Sequence, residues 1–411
     1  MMDPSQSKKS GPLSGMRIID LTSVVMGPYC TQILCDLGAE VIKIENADGD
    51  PTRHLGPTRR PLQSGMFINI NRGKKSVVID LKQEEGRALC LRLMTTADAV
   101  VHSMRPAAIK RLGLTYEDVR QHNPEVIYAN LYGFGRKGRY ANLPAYDDTI
   151  QAVSGMSMLQ SHMVGEPQYT ATVIGDKLCG VAGAYAIMAA MIFRLQSGKG
   201  QEVEIPMFET MASFLLVEHM SGAVFNPPLG PPMYERVILP DRKPFKTQTG
   251  YLAVIIHNDK QWRNFTKALN RDDLANDERF RTQSGRSKNT RAFYEITSAL
   301  FLEKTAEEWK DLLEKAEVPV AELNSLEDLF SDPHMEDVGF FREVDDHPDG
   351  PVRLPVFPIT FSESPATFNA IAPELGQHTR ELLDELKINN EEITALSQKN
   401  IIQFGHLNAA E

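Results

Sequence analysis

Cysteine, excess basic charge and long apolar runs are all scarce in this 411-residue sequence. Its four cysteines are too few and too scattered for a disulfide framework, and no further Cys or His pair stands at zinc-ligand spacing. Acidic residues outnumber basic ones by 54 to 44, and the net charge of −10 argues against nucleic acid or an anionic membrane as the main partner. The apolar run 178–193 is shorter than the roughly 18 residues that suggest a membrane span.

Targeting signals are absent from the first fifteen residues. They contain neither the apolar core of a secretory signal nor the Arg-rich amphipathic pattern of an organelle transit peptide. Together with the scarce cysteines, this predicts a reducing compartment, most simply the cytoplasm. The chain is longer than the size at which a single core usually stops growing, so we expect two domains.

Strand and helix patterns alternate through the first half of the chain. Strands are predicted at 16–21 and 41–45, around a helix that begins near Pro28 and ends at Gly38. Such a strand–helix–strand unit predicts a parallel sheet with a right-handed crossover. Further strands are predicted at 77–81, 99–102, 126–132 and 201–205.

A glycine-rich dinucleotide fingerprint is missing between the first strand and its helix. Residues 133–138 match G-x-G-x-x-G after a strand, but Pro144 and a non-helical stretch follow, and Met158 stands where the fingerprint needs an acid. We therefore interpret these glycines as a flexible turn near a site. Their context counts against an NAD-dependent two-domain oxidoreductase, which is one of the alternative functions.

Asp176 stands alone after a glycine and just before the apolar run 178–193. The mixture of small and large apolar residues in that run predicts a helix buried on most sides. Position alone favours a helix N-cap, because an Asp there accepts a hydrogen bond from otherwise unpaired backbone N–H groups. The alternative is that Asp176 is a catalytic residue, and a choice between the two interpretations needs the other segments of the chain.

Eight segments in a fixed order resemble the CaiB/BaiF-type family III CoA-transferases, a family that also includes the α-methylacyl-CoA racemases. No single segment is specific, but their order and spacing together are. The segments are GMRIIDLTSVVMGPYCTQILCDLGAEVIKIE, NRGKKSVVIDLK, RLGLTYEDV, NPEVIYANLYGFG, YDDTIQAVSG, IGDKLCG, SGKGQEVEIPMFE and GQHTRELLDEL.

The resemblance implies a doubly wound, Rossmann-like α/β large domain formed by both chain ends. It also implies a smaller α/β domain between them and two subunits interlocked as a homodimer. Pro-rich stretches of the sequence fit that division. The predicted parts are 11–225 and 362–411 for the large domain, 226–240 for a linker, 241–331 for the small domain and 332–361 for a return connection.

In such enzymes the Asp of the IGD segment is the catalytic carboxylate, which maps onto Asp176, with Tyr146, Gly133, Gly135 and Gly175 in support. An ionised carboxylate can attack an acyl-CoA thioester, giving a mixed anhydride and CoA thiolate, and the incoming acid then exchanges through an aspartyl-CoA thioester. We expect the helix N-terminus to keep this carboxylate ionised at neutral pH. CoA enters as substrate and product, and no metal, NAD or flavin is expected.

The resemblance also implies that basic residues after the second strand hold the nucleotide phosphates of CoA. It points to Lys43, Arg53, Arg72, Lys75 and, in the RLGL segment, Arg111. Each of them has a solvated surface charge as its alternative interpretation. A protein that binds CoA without catalysis is therefore a further alternative function.

Two positions depart from the family pattern: Val25 replaces a Gln of the oxalate-using members, and Ser103 replaces an Asn of many members. The racemase branch has a His where this chain has Tyr146, since removing an α-proton from either face needs two acid/base partners. A transferase is therefore favoured, and a racemase or epimerase is the alternative. His162, the nearest other imidazole, lies in a segment predicted to be a flexible bridge.

Basic residues cluster around the first predicted strand of the small domain, where oxalate-using members have a glycine-rich run. Arg242, Lys246 and His257 are the candidates for substrate contact, although a solvated basic edge is favoured for such charges. If they bind substrate, they attract a second carboxylate, which makes a dicarboxylic acid the better candidate. The expected partners are thus acyl-CoA and small carboxylic acids.

Overall fold

A computed structural model describes residues 11–405. The targeting prediction for residues 1–10 and the last six residues of the predicted C-terminal part lie outside the described residues. The strands are β1 (Arg17–Leu21), β2 (Glu40–Glu45), β3 (Lys75–Ile79), β4 (Ala99–His102), β5 (Ile127–Tyr132), β6 (Gln201–Pro206), β7 (Phe245–Lys246), β8 (Tyr251–Val254), β9 (Val320–Glu322), β10 (Phe341–Val344), β11 (Val352–Pro355) and β12 (Ile402–Gln403).

The helices vary from single turns to one of 24 residues. They are α1 (Met26–Asp36), α2 (Gly65–Asn71), α3 (Glu84–Met94), α4 (Pro106–Leu112), α5 (Tyr116–Arg120), α6 (Asp147–Val153), α7 (Met156–Val164), α8 (Ile174–Ser197), α9 (Met207–His219), α10 (Asp259–Ala268), α11 (Asp272–Ala275), α12 (Gln283–Lys288), α13 (Thr290–Phe301), α14 (Ala306–Lys315), α15 (Pro333–Asp337), α16 (Thr379–Glu385) and α17 (Asn390–Gln398).

Seven strands form the large sheet, in the order β12-β3-β2-β1-β4-β5-β6. Neighbouring strands are parallel, except that β12 pairs antiparallel with β3. The strand order reverses between β1 and β4, which is the switch point of a doubly wound sheet. The central strands are buried along nearly their whole length, as expected where helices cover both faces. The predicted α/β fold with a large, mostly parallel sheet is confirmed.

Both ends of the chain contribute to the core beside this sheet. Apolar residues of β2 and β3 pack with α3 and with the C-terminal helices α16 and α17, and β12 extends the sheet edge. Leu382 and Leu383 of α16 and Ile401 before β12 are each at most 1% exposed. The C-terminal residues therefore complete the hydrophobic core beside the large sheet and do not form a separate core.

Two glycines of α8 allow it to approach α1 closely. A Cβ on Gly180 would lie 2.8 Å from the Met26 carbonyl oxygen, and a Cβ on Gly183 would lie 2.9 Å from Cys30 Sγ. From Gly180 to Gly183 along α8, the facing residue in α1 changes from Met26 to Cys30. The contacts therefore advance in the same direction along both helices. α1 and α8 therefore run parallel, with their N-terminal ends on the same side of the sheet.

The prediction that α8 is buried on most sides is wrong for the single chain. Large apolar side chains stay exposed on one face, among them Val181 at 45%, Tyr185 at 62% and Ile192 at 56%. Only the face with the small residues packs against α1. Within residues 11–405, α8 is the one helix long and apolar enough to cross a membrane, but core helices of soluble proteins meet the same criterion.

The described chain divides into two compact units. The first unit comprises the chain up to 155 together with 169–215 and the chain from 336 onward, and the second comprises 156–168 and 216–335. The predicted bounds differ at several points. The second unit includes the segment with α7, residues 216–225 and the whole predicted linker 226–240, and the predicted return connection 332–361 is divided, with 336–361 in the first unit.

The second unit has an aromatic core around a three-stranded sheet, β7-β8-β9, whose strand pairs are antiparallel. Phe245 of β7 stacks on Phe301 with ring centroids 4.4 Å apart, and Trp309 lies 4.5 Å from the same ring. Trp262 and Phe265 of α10 are fully buried beside them. Burial of these large rings accounts for the separate core of the second unit, which is about a third of the chain.

Candidate active site

Asp176 lies at the edge of the sheet where the strands of the first unit end. It is the third residue of α8, one turn before Gly180, which contacts the Met26 carbonyl. Residues four apart share a helix face, so Asp176 lies towards the turn that joins β1 to α1. Ligands of doubly wound sheets bind at this edge, beside the switch point. The sheet topology thus places the candidate nucleophile at the expected site.

The N-cap interpretation of Asp176 is wrong. Residue Val173 occupies the N-cap position of α8 and makes no side-chain cap. Instead, Asp147 Oδ1 accepts a hydrogen bond from the backbone N–H of Asp176 at 3.0 Å. A carboxylate from another helix therefore satisfies one of the otherwise unpaired N–H groups of the first turn, and the Asp176 side chain is free of that role.

Asp147 is the residue of this site that the sequence analysis missed. It is the first residue of α6, it is only 5% exposed, and its Oδ2 accepts from Gln151 Nε2 at 2.6 Å. A Cβ on Gly175 would lie 3.0 Å from Asp147 Oδ1, so the glycine before the nucleophile leaves room for this carboxylate. The available signal was its place in the YDD segment, directly after Tyr146.

Burial and a neighbouring charge both act on Asp176. Burial is the larger cause and the charge of Asp147 the second, and together they raise the pKa of Asp176 from 3.8 to about 7. This raised pKa opposes the expectation that the helix N-terminus keeps the carboxylate ionised at neutral pH. Two close carboxyl groups resist double ionisation, and perturbed groups of this kind concentrate at functional sites.

Tyr146 directly precedes α6, and 68% of its surface is exposed. Its backbone N–H donates to Thr149 Oγ1 at 3.0 Å, which fixes the start of the helix that holds Asp147. Gly133 lies against the same segment, since a Cβ there would be 2.2 Å from Ala145 Cβ. The predicted support from Tyr146 and Gly133 remains a prediction, but both border the α6 segment.

The turn 133–138 is held by carboxylates and is not the flexible turn we predicted. Gly135 N donates to Glu209 Oε1 at 3.1 Å, and Arg136 N donates to Glu204 Oε1 at 2.6 Å. The Arg136 side chain also pairs with Glu204 at 2.8 Å and with Glu202 at 2.7 Å. These two backbone N–H groups already have anionic partners, so they are not free to bind a ligand anion.

Two of the predicted CoA ligands are fully buried in ion pairs. Lys43 Nζ lies 2.8 Å from Asp50 Oδ2, and Arg53 bonds to both carboxylate oxygens of Glu45 at 2.8 and 2.7 Å. The Arg53 guanidinium also lies 3.7 Å from the centre of the Phe67 ring. These contacts favour a structural role for both residues, because a phosphate would have to displace a buried carboxylate.

The other three predicted CoA ligands differ in their freedom. Arg72 is buried and donates to Asp36 Oδ2 at 2.8 Å. Lys75 is partly exposed and lies 2.7 Å from both Glu40 and Glu381. Arg111 is exposed on α4, and within residues 11–405 no carboxylate pairs with it. Arg111 therefore has the freest charge of the five, and all five roles stay predictions.

A buried charge network that we did not predict lies below the turn after β1. Lys74 Nζ is 3.2 Å from Asp20 Oδ2 and 2.8 Å from Thr31 Oγ1, and neither charged side chain is exposed. Burial alone would raise the pKa of Asp20, but the cations of Lys74 and Lys43 outweigh it and lower that pKa to about 2. The network ties β1, α1 and β3 together at the edge of the sheet.

The candidate substrate residues lie in the second unit. Arg242 and His257 come together at a cavity of about 340 Å³, whereas Lys246 is exposed on β7 and does not line it. His162, the alternative acid/base group, is exposed on α7, so its segment is a helix rather than a flexible bridge. Among residues 11–405, no three His, Cys, Asp or Glu side chains form a group that could hold a metal ion.

Together, the doubly wound sheet and the neighbouring residues Asp176 of α8 and Asp147 of α6 define a candidate active site in an α/β protein. The chain belongs to CoA-transferase family III, whose sequence profile matches residues 13–379. That match confirms the family resemblance of the eight segments.

Relatives with curated names are similar over nearly their whole length. The succinate–glutarate CoA-transferase of Agrobacterium fabrum is 33% identical over 387 residues, which cover 92% of this chain and 96% of the relative. The succinyl-CoA:mesaconate CoA-transferase of Haloarcula hispanica is 31% identical, with 91% and 96% covered. The crystal structure of a CaiB/BaiF family protein from Brucella suis is 31% identical with a TM-score of 0.77, covering 92% of this chain and all of that one.

Proposed function

We propose that this protein transfers CoA reversibly from an acyl-CoA to a dicarboxylic acid, with Asp176 as the nucleophile. The supporting observation is the half-buried carboxyl of Asp176 at the start of α8, beside Asp147, in a chain of the CoA-transferase family. Relatives named for succinate, glutarate and mesaconate support a dicarboxylic acid as acceptor.

The proposed reaction consists of four balanced acyl transfers. Asp176 attacks the thioester carbonyl, so that a mixed anhydride forms and CoA thiolate leaves. The thiolate attacks the Asp176 carbonyl, which gives an aspartyl-CoA thioester and releases the first acid as its carboxylate. The carboxylate of the second acid then attacks this thioester and expels CoA thiolate. Finally, the thiolate attacks the new acyl group, which yields the second acyl-CoA and restores Asp176.

The first step needs Asp176 in its ionised form, and every step needs its side chain in a fixed orientation. The bond from the Asp176 N–H to Asp147 fixes the first turn of α8, and the positive end of the helix dipole favours oxyanions near this turn. The raised pKa of Asp176 makes the ionised group a more basic nucleophile but reduces its fraction at neutral pH. Asp147 thus has two opposed effects on the same group.

The proposal is tested with succinyl-CoA and a panel of acids, with CoA esters measured by mass spectrometry. We expect CoA esters of dicarboxylic acids, and hydroxylamine trapping of an activated carboxyl at Asp176. Asp176→Asn removes the charge with little change in size, so turnover is expected to vanish while circular dichroism stays unchanged. Transfer that survives in this variant would refute the assignment of Asp176.

The same assay separates the alternative function. A racemase would exchange the α-proton of a 2-methylacyl-CoA in D₂O and would transfer CoA to no acid. That pair of results would overturn the proposal. The exposed tyrosine at position 146, in place of the His of the racemase branch, supports the transferase.

We also propose that the protein is a homodimer. The exposed apolar face of α8, with Val181, Tyr185 and Ile192, supports an association that covers it, because contiguous apolar patches commonly mark interfaces. Light scattering coupled to gel filtration measures the mass directly. Tyr185→Asp places a charge on this face and is expected to weaken the dimer, whereas a monomeric wild-type protein would contradict the proposal.

A further inference from the structure

The cavity of the second unit is lined by cations without a single Asp or Glu among the described residues. Its volume is about 340 Å³, and it lies between the segment before β7, the end of β8 and helices α12 and α13. The permanently charged groups are Arg236, Arg242, Lys243 and Arg286, and His257 adds a titratable one. A concave site with one sign of charge concentrates ligands of the opposite sign.

Only one of these cations is neutralised by a carboxylate within the described residues. Arg286 is 6% exposed, and its Nη2 lies 2.9 Å from Asp259 Oδ1, while its Nη1 donates to the Phe280 carbonyl at 2.6 Å. Arg286 is therefore a structural part of the cavity wall. Its charge is balanced, and the excess positive charge comes from the remaining cations.

Arg236 is half-buried and has no carboxylate partner within residues 11–405. Its Nη1 lies 3.5 Å from His257 Nδ1, and Tyr234 and Tyr294 are also close to its guanidinium. None of these three side chains is a carboxylate, so they orient the guanidinium without pairing it with an anion. This arrangement holds a cation ready for an anionic ligand.

Arg242 and Lys243 are exposed at the mouth of the same cavity. Within residues 11–405, neither forms an ion pair with a carboxylate. Apolar side chains such as Phe245 and Phe293 complete the wall. A lining that combines cations with apolar surface suits a short hydrocarbon chain with anionic ends.

We propose that this cavity binds a small dicarboxylate through Arg236, Arg242 and Lys243. The choice of a dicarboxylate rests on the proposed function, in which transfer changes only one carboxylate of the acid and leaves the other anionic. The volume is near the lower limit of about 300–1,000 Å³ for ligand pockets, which fits a short acid better than a whole CoA molecule. Three uncompensated cations favour a dianion over a monocarboxylate.

A pair of serines on α12 provides a matched test. Ser287 lines the cavity, whereas Ser284 lies on the same helix outside it, and both are exposed. Ser287→Glu places a tethered carboxylate among the cations, and Ser284→Glu adds the same charge elsewhere. Calorimetric titration with glutarate is expected to show binding to the wild-type protein, at least about tenfold weaker binding to Ser287→Glu, and unchanged binding to Ser284→Glu.

A second pair of variants removes charge instead of adding it. Arg242→Gln is expected to weaken glutarate binding at least about fivefold, while Arg263→Gln, exposed on α10 outside the cavity, leaves it unchanged. Butyrate, a monocarboxylate of similar length, is expected to bind at least about tenfold more weakly than glutarate. Because Arg242 has no partner carboxylate within residues 11–405, its loss leaves no buried charge unpaired.

Each outcome decides for or against the cavity. Equal glutarate affinity in Ser287→Glu and Ser284→Glu overturns the proposal, as does binding of adenosine 3′,5′-bisphosphate to the cavity without binding of glutarate. Failure of the proposed dicarboxylate site is distinct from failure of the proposed function, because calorimetric titration measures binding without turnover. Glutarate binding that Ser287→Glu weakens, in a protein that transfers no CoA, would leave the cavity assigned and remove the transferase.

Discussion

Neutralising Asp147 should shift the pH dependence of the nucleophile. Asp147→Asn retains an Oδ1 that can accept from the Asp176 N–H, but it removes the charge that raises the pKa of Asp176. Burial remains, so this pKa falls without returning to 3.8. Because only the ionised carboxylate attacks, kcat/KM for the acyl-CoA rises with pH through the pKa of the free enzyme, and that rise should move to lower pH.

The size of the effect follows from the two causes. The pKa of Asp176 is raised from 3.8 to about 7, and burial is the larger cause, so loss of the Asp147 charge lowers it by less than half of that difference. With a pKa of about 7, the ratio of kcat/KM at pH 6 to that at pH 8 is about 0.1, and the lower pKa of the variant raises this ratio towards 1.

The ratio of kcat/KM at pH 6 to that at pH 8 is the useful readout, because a loss of activity that is the same at both pH values does not change it. In the wild type, Gln151 Nε2 donates to Asp147 Oδ2. In Asp147→Asn, the side-chain NH₂ group takes the place of Oδ2, so that two donors face each other at a cost of about 1–3 kcal/mol of stability. Asp148→Asn is the matched control, since Asp148 is adjacent and exposed and loses the same charge. Its ratio is expected to equal that of the wild type.

A direct titration covers the case in which the variant has too little activity. Carboxyl carbons of ¹³C-labelled aspartate report ionisation by NMR, and Asp176→Asn identifies the Asp176 resonance. Identical midpoints for Asp176 in wild type, Asp147→Asn and Asp148→Asn would refute the reasoning. A midpoint near 4 in the wild type would refute it as well, since burial would then have no effect on this carboxyl group.

Two further predictions concern packing and buried charge. Gly175→Ala places a Cβ 3.0 Å from Asp147 Oδ1, so kcat is expected to fall at least about tenfold. Gly65→Ala is the control, because Gly65 has open space around it and kcat should stay unchanged. Equal kcat values in the two variants would contradict the importance of the close approach at Gly175. Lys74→Met removes the ion-pair partner of the buried carboxylate of Asp20 and should lower the free energy of unfolding by about 3–5 kcal/mol, as measured by urea denaturation. Lys75→Met, at a partly exposed ion pair, should lower it by at most about 1 kcal/mol.

The pattern of the sequence was sufficient for much of the first unit. The strand predicted at 99–102 has the same bounds in the structure, and the helix predicted to begin near Pro28 and end at Gly38 spans Met26–Asp36, with Gly38 at φ 102°. Buried parallel strands and glycine helix stops leave strong local signals. The helices α6 and α7 were missed because helices of seven and nine residues are too short to show a clear periodicity and are stabilised by contacts distant in sequence.

The site was predictable only in part, for the same reason. Asp176 was found through its segment, but its ionisation was not, because burial and the approach of Asp147 are properties of the folded chain. Lys43 and Arg53 were expected to bind phosphate, and the structure places both in buried ion pairs. Basic residues in a linear sequence do not reveal which carboxylate will fold against them.

The sequence by itself determined the family, the alternation of strands and helices, and the choice of Asp176 as the candidate nucleophile, because each rests on a pattern of neighbouring residues. Only the tertiary structure decided that Asp147, 29 positions earlier, bonds to the first turn of α8 and raises the pKa of Asp176. Only folding, likewise, gathered the cations from 236 to 286 around one cavity. Electrostatic interactions depend on distance and burial in space, and neither quantity is encoded in local sequence.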